Sequence, residues 1–477
     1  MSAFLGIPPA VLTDSYKPTH AFLYPEAIKV PLIIFFKGGI FGYNGDKEDT
    51  RLLFYGIRYI IENYISVKWT LQDVELAGKF YATHNVGYSS FPFPKDLFLK
   101  FIKENDGYFP VKIEALPEGT ACHVHTPVYQ ITAEKEYSLL VTFLETLITM
   151  SWYPTTVATL SRRARDVIEQ AYNDTVDDDV RDLTLESRLH DFGFRGCTSI
   201  EQSVIGGSAH LINFVGSDTM SAGYYIQFKL NNGNPVASSI PATEHSVMTA
   251  HKTERDAILR MIDRFGTGIF ACVMDSFDYA NALNKILPSI AAKKVEKGGF
   301  MVLRPDSGDQ VEVVLMALRY IKSLYAIYAL NGNVDSADKV FGSDANKKGY
   351  KVIRGCSVIQ GDAVTIESMK KILHAAKEAG YAAQNIAFGM GGGLLQKVPI
   401  VYPKEVCPEN DPENLLRVVY DHGKIIEWDD FNTIRERAAK EWSCLPRSYD
   451  NISPELKAKI SKCLQEIKSR LEMEMAM

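Results

Sequence analysis

Arg304 and Asp306 stand two positions apart in the segment RPDSG (304–308), directly after the apolar run 300–303. A guanidinium can hold a phosphate through two hydrogen bonds, and a carboxylate can orient Mg²⁺-bound water or ribose hydroxyls. Pro305 stiffens this turn, and Gly308 leaves its backbone free to bend. A surface turn with an ion pair fits the same residues, so the segment alone leaves both interpretations open.

A histidine and a glycine run offer further groups suited to phosphate chemistry. The imidazole of His245 can exchange protons near neutral pH or accept a phosphoryl group. Gly391 and Gly392 lie in FGMGGGLLQK (388–397), where consecutive backbone N–H groups could cradle a phosphate. A lone histidine is often only a hydrogen-bonding residue, and the glycine spacing matches neither the P-loop nor the dinucleotide-binding fingerprint.

An aromatic residue and a cation stand close together in HDFGFRG (190–196). Phe192 offers a ring for stacking, and Arg195 offers a guanidinium for phosphate. Aromatic residues at alternate positions also occur commonly in a buried core. The segment therefore indicates a ligand site only in combination with other segments.

These groups need elements that bring them together, and the chain from about residue 198 alternates helical periods with short apolar runs. That pattern is typical of βα units around a parallel sheet, whose ligands bind at the carboxyl ends of the strands. We therefore expect one pocket where the runs end. The five runs and the residues behind them are 211–215 before Asp218, 269–273 before Asp275 and Asp278, 300–303 before Arg304 and Asp306, 358–359 before Gly361 and Asp362, and 386–388 before 389–393.

The predicted fold class is α/β, with an irregular (β/α) barrel over residues 151–400. Residues 1–150 contain short aromatic-rich strands and Gly/Asn turns, which predict a second, mixed antiparallel β and α domain. We expect the segment 401–477 to join this second domain. The strand ends that form the expected pocket all lie within residues 151–400.

The composition limits the classes of partner. A net charge of −6, from 52 basic and 58 acidic side chains, gives no global attraction for nucleic acid or anionic lipid. The seven cysteines are widely spaced with no CxxC pair, which indicates a reducing compartment. The sequence shows neither a secretory signal pattern nor a run of roughly 20 apolar residues. We expect a cytoplasmic protein without a nucleic-acid or membrane partner.

Eight strings occur in the order typical of one family, and together they are more specific than any one of them. On these strings the sequence resembles the nicotinamide phosphoribosyltransferase family, whose members are dimeric type II phosphoribosyltransferases built on an irregular α/β barrel. The strings are TDSYKPTH (13–20), SWYPTTVAT (151–159), LHDFGFRG (189–196), GSAHLINFVGSDT (207–219), IPATEHS (240–246), RPDSG (304–308), VIQGD (358–362) and FGMGGGLLQK (388–397).

The resemblance implies transfer of a 5-phosphoribosyl group from phosphoribosyl pyrophosphate to nicotinamide, which gives nicotinamide mononucleotide and pyrophosphate in NAD salvage. It implies that Phe192 stacks on one face of the pyridine ring and that Tyr16 from the second subunit of a homodimer covers the other. Asp218 is expected to accept the carboxamide N–H, and Asp14 is expected to line the same cleft. A carboxylate at position 218 would repel nicotinate, so the amide should be preferred over the acid.

The resemblance also implies how the phosphates and the metal are held. Arg304 and Asp306 take catalytic roles beside His245, and Asp306 orients Mg²⁺ indirectly, through the bound pyrophosphate or ribose. His245 is expected to be phosphorylated by ATP, which serves as an auxiliary energy source. The expected phosphate and ribose contacts are Arg195, Ser239, Asp278, Gly361, Asp362, Gly391 and Gly392.

The sequence departs from the family after Lys397, where family members carry a basic segment that helps to bind phosphates. Its loss leaves the amides of residues 391–393 with Lys397 or Lys404 as substitutes, or else weakens or abolishes activity. One alternative is therefore a non-catalytic relative that binds nicotinamide or the mononucleotide for regulation. Another, suggested by Met274 where the family often has a small hydroxyl residue, is a phosphoribosyltransferase for nicotinate or another pyridine.

Overall fold

The computed structural model describes residues 6–25, 35–43, 48–330, 342–396, 401–406 and 415–448, with four single residues beyond them (458, 461, 462 and 465). Residues 397–400 lie outside the described residues, so Lys397 has no structural description. The chain divides into two compact units. The first unit comprises 1–152, 400–428 and 440–477, and the second comprises 153–399 and 429–439.

Sixteen strands are formed by the part of the chain that the structure describes. In chain order they are β1 (Phe35–Tyr43), β2 (Arg51–Leu53), β3 (Lys112–Ala115), β4 (Ala121–His123), β5 (Pro127–Ala133), β6 (Leu189–Asp191), β7 (Gly216–Ser217), β8 (Ile269–Val273), β9 (Phe300–Arg304), β10 (Ser343–Ala345), β11 (Lys351–Ile353), β12 (Cys356–Gln360), β13 (Ile386–Met390), β14 (Val401–Val406), β15 (Arg417–Asp421) and β16 (Lys424–Ile425).

Helices separate and flank these strands. The α-helices are Tyr16–His20, Ile57–Ile60, Leu71–Tyr81, Lys95–Glu104, Glu145–Ile148, Trp152–Thr175, Asp178–Leu185, Ile200–His210, Met220–Tyr225, His245–Thr249, Glu254–Phe265, Tyr279–Asn281, Leu287–Lys297, Gln310–Leu330, Ile366–Glu378, Gly392–Leu395 and Phe431–Cys444. The 3-10 or π-helical segments are Pro9–Val11, Ile61–Ile65, Val86–Tyr88, Lys135–Leu144, Thr149–Ser151, Phe194–Gly196, Ile226–Leu230, Ala282–Ile286 and Ala383–Asn385. No helix among the described residues is long and apolar enough to cross a membrane.

The first unit is built on an antiparallel sheet in the order β14-β1-β5-β3-β15-β16. Its core contains an aromatic cluster centred on Trp69, whose ring centroid lies 5.2–5.8 Å from those of four phenylalanines. Burial of such large rings contributes much of the apolar stabilisation of a unit this size. The four phenylalanines are Phe98, Phe101, Phe109 and Phe143.

The second unit contains a six-stranded, wholly parallel sheet in the order β7-β6-β13-β12-β9-β8. The segment 238–243 forms hydrogen bonds at both edges of this sheet. The N–H of Ser238 donates to the carbonyl of Val215, just before β7, and the N–H of Thr243 donates to the carbonyl of Ala271 in β8. Parallel bridges join Gly216 to Ser238 and residue 242 to Ala271. The strands therefore follow one another around an irregular ring in chain order, which confirms the predicted α/β barrel.

The barrel interior is filled by one apolar residue from each of four neighbouring strands. Ala271 of β8, Val302 of β9, Ile359 of β12 and Ala387 of β13 form this buried layer. Phe192 packs against the layer from above the end of β6. The layer makes the barrel a packed core, so a ligand can enter only at the strand ends.

The predicted strand over 211–215 is wrong. The helix Ile200–His210 is followed by a turn in which the N–H groups of Asn213 and Phe214 donate to the carbonyl of His210. The ring of Phe214 stacks on the buried His210 ring, with centroids 5.4 Å apart. The apolar residues of this run are therefore buried by a turn, and the strand itself is limited to β7.

Candidate active site

Residues that are far apart in the chain meet at the carboxyl ends of the parallel strands. Going round the ring, the strand ends follow β6, β7, the segment 238–243, β8, β9, β12 and β13. Parallel strands all finish at the same edge of their sheet, so the side chains behind them converge. In ring order the residues behind the strand ends include Phe192, Asp218, His245, Asp275, Asp306, Asp362 and Gly391.

A cavity of about 580 Å³ opens at this edge of the barrel. Its volume lies in the range of small-molecule sites, and its walls combine aromatic rings with carboxylates and guanidinium groups. Six of its ten lining residues are among those predicted from the sequence. The lining residues are Phe192, Phe194, Arg195, Asp218, Thr219, Glu244, His245, Ser246, Arg304 and Asp306.

A second cavity of about 390 Å³ adjoins the first and shares four of its lining residues. Its remaining lining residues are mostly glycines, and all of them except Gly196 follow β12 or β13. Backbone amides in glycine-rich loops suit an anionic ligand, and the shared arginines add positive charge. The lining residues are Phe192, Arg195, Gly196, Arg304, Asp306, Gly361, Asp362, Ala363, Val364, Gly391, Gly392 and Gly393.

Phe192 forms the aromatic wall common to both cavities. Its backbone N–H donates to the carbonyl of Met390 at 3.0 Å, which ties the turn after β6 to the end of β13. The ring lies directly over Gly389, where an added Cβ would stand 2.0 Å from Cε2 of Phe192. Asp191 holds the turn by accepting the N–H of Gly193 at 2.7 Å, and burial raises the pKa of Asp191 to about 6.

Two arginines line both cavities. Arg304 Nη2 lies 3.8 Å from Asp306 Oδ2, beyond hydrogen-bond distance, and its buried Nε has no hydrogen-bond partner among the described residues. Arg195 lies in the 3-10 turn after β6 and lines both cavities. A buried guanidinium N–H without a partner is costly, so an anionic ligand at this position would be stabilising.

His245 begins the helix His245–Thr249 and has a partner on each ring nitrogen. Nδ1 lies 3.0 Å from the hydroxyl of Ser276, and Nε2 lies 3.4 Å from Oδ2 of Asp306. The carboxylate of Asp306 favours an imidazole that carries a proton on Nε2. The side chain is about half exposed in the first cavity, so it can reach a bound substrate.

Asp218 lines the first cavity, and two neighbours fix it. Its backbone N–H donates to the carbonyl of Asp191 at 2.9 Å, and Ser239 donates its hydroxyl to Oδ1 at 2.5 Å. Ser239 therefore lies beside Asp218 and outside the linings of both cavities. Its predicted contact with phosphate or ribose stays a prediction.

Three other predicted residues lie outside these linings. Asp278 caps the short helix Tyr279–Asn281 by accepting the N–H of Asn281 at 2.6 Å. Asp14 and Tyr16 belong to the first unit. There Asp14 accepts the hydroxyl of Thr146 at 2.6 Å, and the side chain of Tyr16 is 54% exposed.

Sequence reasoning missed lining residues that stand next to the predicted ones. Phe194 precedes Arg195, Thr219 follows Asp218, and Glu244 and Ser246 flank His245. Adjacency in a turn is the signal that could have found them, because a turn presents successive side chains to the same space. In the first cavity these missed residues are Phe194, Thr219, Glu244 and Ser246, and in the second they are Gly196, Ala363 and Val364.

A parallel barrel with an aromatic wall and two arginines at the strand ends matches known phosphoribosyltransferases. The nicotinate phosphoribosyltransferase (NAPRTase) family model matches residues 187–407, and the model of the nicotinamide phosphoribosyltransferase N-terminal domain matches residues 9–113. The fold and the site thus define an enzyme of the pentosyltransferase class.

Curated relatives narrow this class to one family. The chain is 35% identical over 394 residues to a nicotinamide phosphoribosyltransferase of Xanthomonas campestris pv. campestris, covering 81% of this chain and 77% of the relative. It is 28% identical over 403 residues to one of Mycoplasma genitalium, covering 81% and 85%. The chain therefore belongs to the nicotinamide phosphoribosyltransferase family.

Solved structures show the same fold at low sequence identity. Human nicotinic acid phosphoribosyltransferase superposes with a TM-score of 0.63 at 16% identity, covering 95% of this chain and 100% of the other. Nicotinate-nucleotide pyrophosphorylase from Pyrococcus furiosus gives a TM-score of 0.55 at 12% identity, covering 93% and 97%. These likenesses concern the fold alone.

Proposed function

We propose that this chain transfers the 5-phosphoribosyl group of phosphoribosyl pyrophosphate to nicotinamide, forming nicotinamide mononucleotide and pyrophosphate in NAD salvage. The observation that carries the proposal is the pair of adjoining cavities that share Phe192, Arg195, Arg304 and Asp306. One shared wall is aromatic and suits a pyridine ring, whereas the arginines suit phosphates. A substrate pair of one flat ring and one polyphosphate would fill such a site.

Nicotinamide would bind against Phe192 in the first cavity. Asp218, which Ser239 holds by a hydrogen bond, would accept the carboxamide N–H. Nicotinate would place a second negative charge beside Asp218, so this carboxylate would favour the amide. In a homodimer, the exposed ring of Tyr16 from the second copy would cover the other face of the pyridine, with Asp14 nearby.

Phosphoribosyl pyrophosphate would bind between the arginines and the loops after β12 and β13. Arg195 and Arg304 would neutralise the departing pyrophosphate, and Asp306 would stabilise positive charge that develops on the ribose. The loop residues Gly361, Asp362, Gly391 and Gly392 line the second cavity, where their backbone would surround the 5-phosphate and ribose.

Magnesium would enter this site with the pyrophosphate. Among the described residues, no group of three or more His, Cys, Asp or Glu side chains could hold a metal by itself. Mg²⁺ commonly keeps several waters and binds through substrate phosphates and one or two carboxylates. Asp306 fits that role because its carboxylate lies in both cavities, where it can orient metal-bound water.

ATP would act through His245. Transfer of the γ-phosphoryl group to a ring nitrogen of His245 would release ADP, and later hydrolysis of the phosphohistidine would drive product formation. The exposure of His245 in the first cavity supports this role. A cytoplasmic location agrees with the free thiols of Cys122, Cys197 and Cys272, which a reducing compartment preserves.

The decisive experiment is a direct assay of the purified full chain with nicotinamide, phosphoribosyl pyrophosphate and Mg²⁺, with and without ATP. We expect nicotinamide mononucleotide by chromatography, a higher yield with ATP, and little product from nicotinate. Preferential turnover of nicotinate would contradict the assignment of Asp218. Calorimetric binding of nicotinamide without any turnover would instead identify a non-catalytic relative.

A further inference from the structure

Two buried carboxyl oxygens have no hydrogen-bond partner among the described residues: Oε1 of Glu254 and Oδ1 of Asp275. Glu254 is only 4% exposed, and none of the described residues forms an ion pair with it. A buried oxygen without a partner loses its hydration and gains nothing in return. The two carboxyl groups also interact electrostatically, because the negative charge of Asp275 raises the pKa of Glu254. Their burial without partners therefore requires an explanation.

Asp275 connects both groups that hold His245. Its Oδ2 accepts the backbone N–H of Asp306 at 2.9 Å and the hydroxyl of Ser307 at 2.5 Å. The next residue along the chain, Ser276, contacts Nδ1 of His245, while Asp306 faces Nε2. Displacement of Asp275 would therefore shift Asp306 through its hydrogen bond and Ser276 through the backbone, and so disturb the surroundings of both ring nitrogens.

Glu254 begins the helix Glu254–Phe265, which Thr253 caps. Burial, together with the negative charges of Asp275 and Asp278, raises the pKa of Glu254 to about 7. The Cys272 thiol also faces Glu254, but burial raises its pKa to about 12, so it stays neutral. These surroundings favour the protonated form of Glu254, against the weaker preference of a helix N-terminus for negative charge.

We propose that Glu254 is a positioning residue whose protonated carboxyl group donates a hydrogen bond to Asp275. One shared proton satisfies both buried oxygens and leaves the other Asp275 oxygen charged, as its two donors from Asp306 and Ser307 require. Loss of that proton places two negative charges side by side, so Asp275 no longer holds the loop 304–308 in place. This inference rests on the proposed function, in which His245 and Asp306 serve the reaction.

The test compares Glu254→Gln and Glu254→Met across pH 5.5–9. Glutamine keeps a donor toward Asp275 at every pH, whereas methionine has a similar length and no donor. We expect the wild-type rate of mononucleotide formation to fall several-fold as the pH rises through about 7. Glu254→Gln should keep the low-pH rate and lack this fall, and Glu254→Met should be slow throughout.

Glu367→Gln is the matched control, because Glu367 also lies in the first turn of a helix capped by threonine but is exposed. It should retain the wild-type profile. A Glu254→Gln profile that still falls like the wild type would overturn the inference, as would a fully active Glu254→Met.

Thermal unfolding separates this inference from the proposed function, since it needs no turnover. The native chain retains the Glu254 proton above the pKa of an unfolded glutamate, so its stability declines as the pH rises from about 4.5 to 7. The melting temperature of Glu254→Gln should therefore rise relative to the wild type over this window. If the difference in melting temperature between Glu254→Gln and the wild type does not change with pH, Glu254 is not protonated. This result would count against the inference whether or not the wild type forms mononucleotide.

Discussion

Gly389 is the residue on which the position of the Phe192 ring depends. An added Cβ would lie 2.0 Å from Cε2 and 2.2 Å from Cδ2 of that ring, closer than any real contact. We expect Gly389→Ala to displace the ring and to weaken nicotinamide binding about tenfold, since overpacking costs about 1–3 kcal/mol. Calorimetry measures the change.

Gly268→Ala is the control for that prediction. An added Cβ at Gly268 would meet only the carbonyl oxygen of Phe265, at an ordinary 3.8 Å. It should leave nicotinamide affinity unchanged. Equal affinities for Gly389→Ala and the wild type would show that the ring does not bind the base.

At the scale of elements, the ring of strands depends on the segment 238–243. The buried hydroxyl oxygen of Thr243 accepts the backbone N–H of Val273 at 2.9 Å, at the end of β8. Thr243→Val has nearly the same shape but loses this acceptor. The free energy of unfolding in urea should fall by about 1–3 kcal/mol because a buried N–H is left unpaired.

Thr249→Val provides the comparison on the neighbouring helix. Its exposed hydroxyl bonds only to carbonyls of the preceding turn, at His245 and Ser246. Removal of that hydroxyl should change the unfolding free energy by less than about 0.5 kcal/mol. If both variants are equally stable, the segment 238–243 does not contribute to closure of the barrel through Thr243.

At the scale of the whole molecule, the proposed homodimer predicts that two inactive variants can complement each other, which is impossible if each site is formed by one chain. Tyr16→Ala and Phe192→Ala should each be nearly inactive, because each removes one of the two rings that enclose the base. Mixing the two variants after partial unfolding and refolding should restore about a quarter of wild-type activity, since half of the dimers are mixed and each has one intact site.

Refolding each variant alone supplies the control, and neither should regain activity. Sedimentation should show a dimer for both variants. A mixture that stays inactive although mixed dimers form would mean that Tyr16 does not act across subunits.

The types of residue at the site and the positions where the parallel strands end were predictable from the sequence, because both depend on local patterns. The apolar runs 269–273, 300–303, 358–359 and 386–388 predicted four of the parallel strands, and the motifs predicted most of the cavity lining. The run 211–215 misled, because its apolar residues are equally compatible with a turn that stacks Phe214 on His210. Apolarity specifies burial and leaves the element type open.

The sequence by itself determined the family, the α/β barrel and many of the residues that line the two cavities, since these follow from motifs and periodicity. Only the tertiary structure decided that Ser239 bonds to Asp218, that the segment 238–243 joins both edge strands, and that Glu254 and Asp275 each bury an oxygen without a partner among the described residues. The physical reason is that burial and unpartnered oxygens arise from packing between distant segments. A glutamate at the start of a helix is ordinary in sequence, and its carboxyl retains a proton only where the fold excludes water.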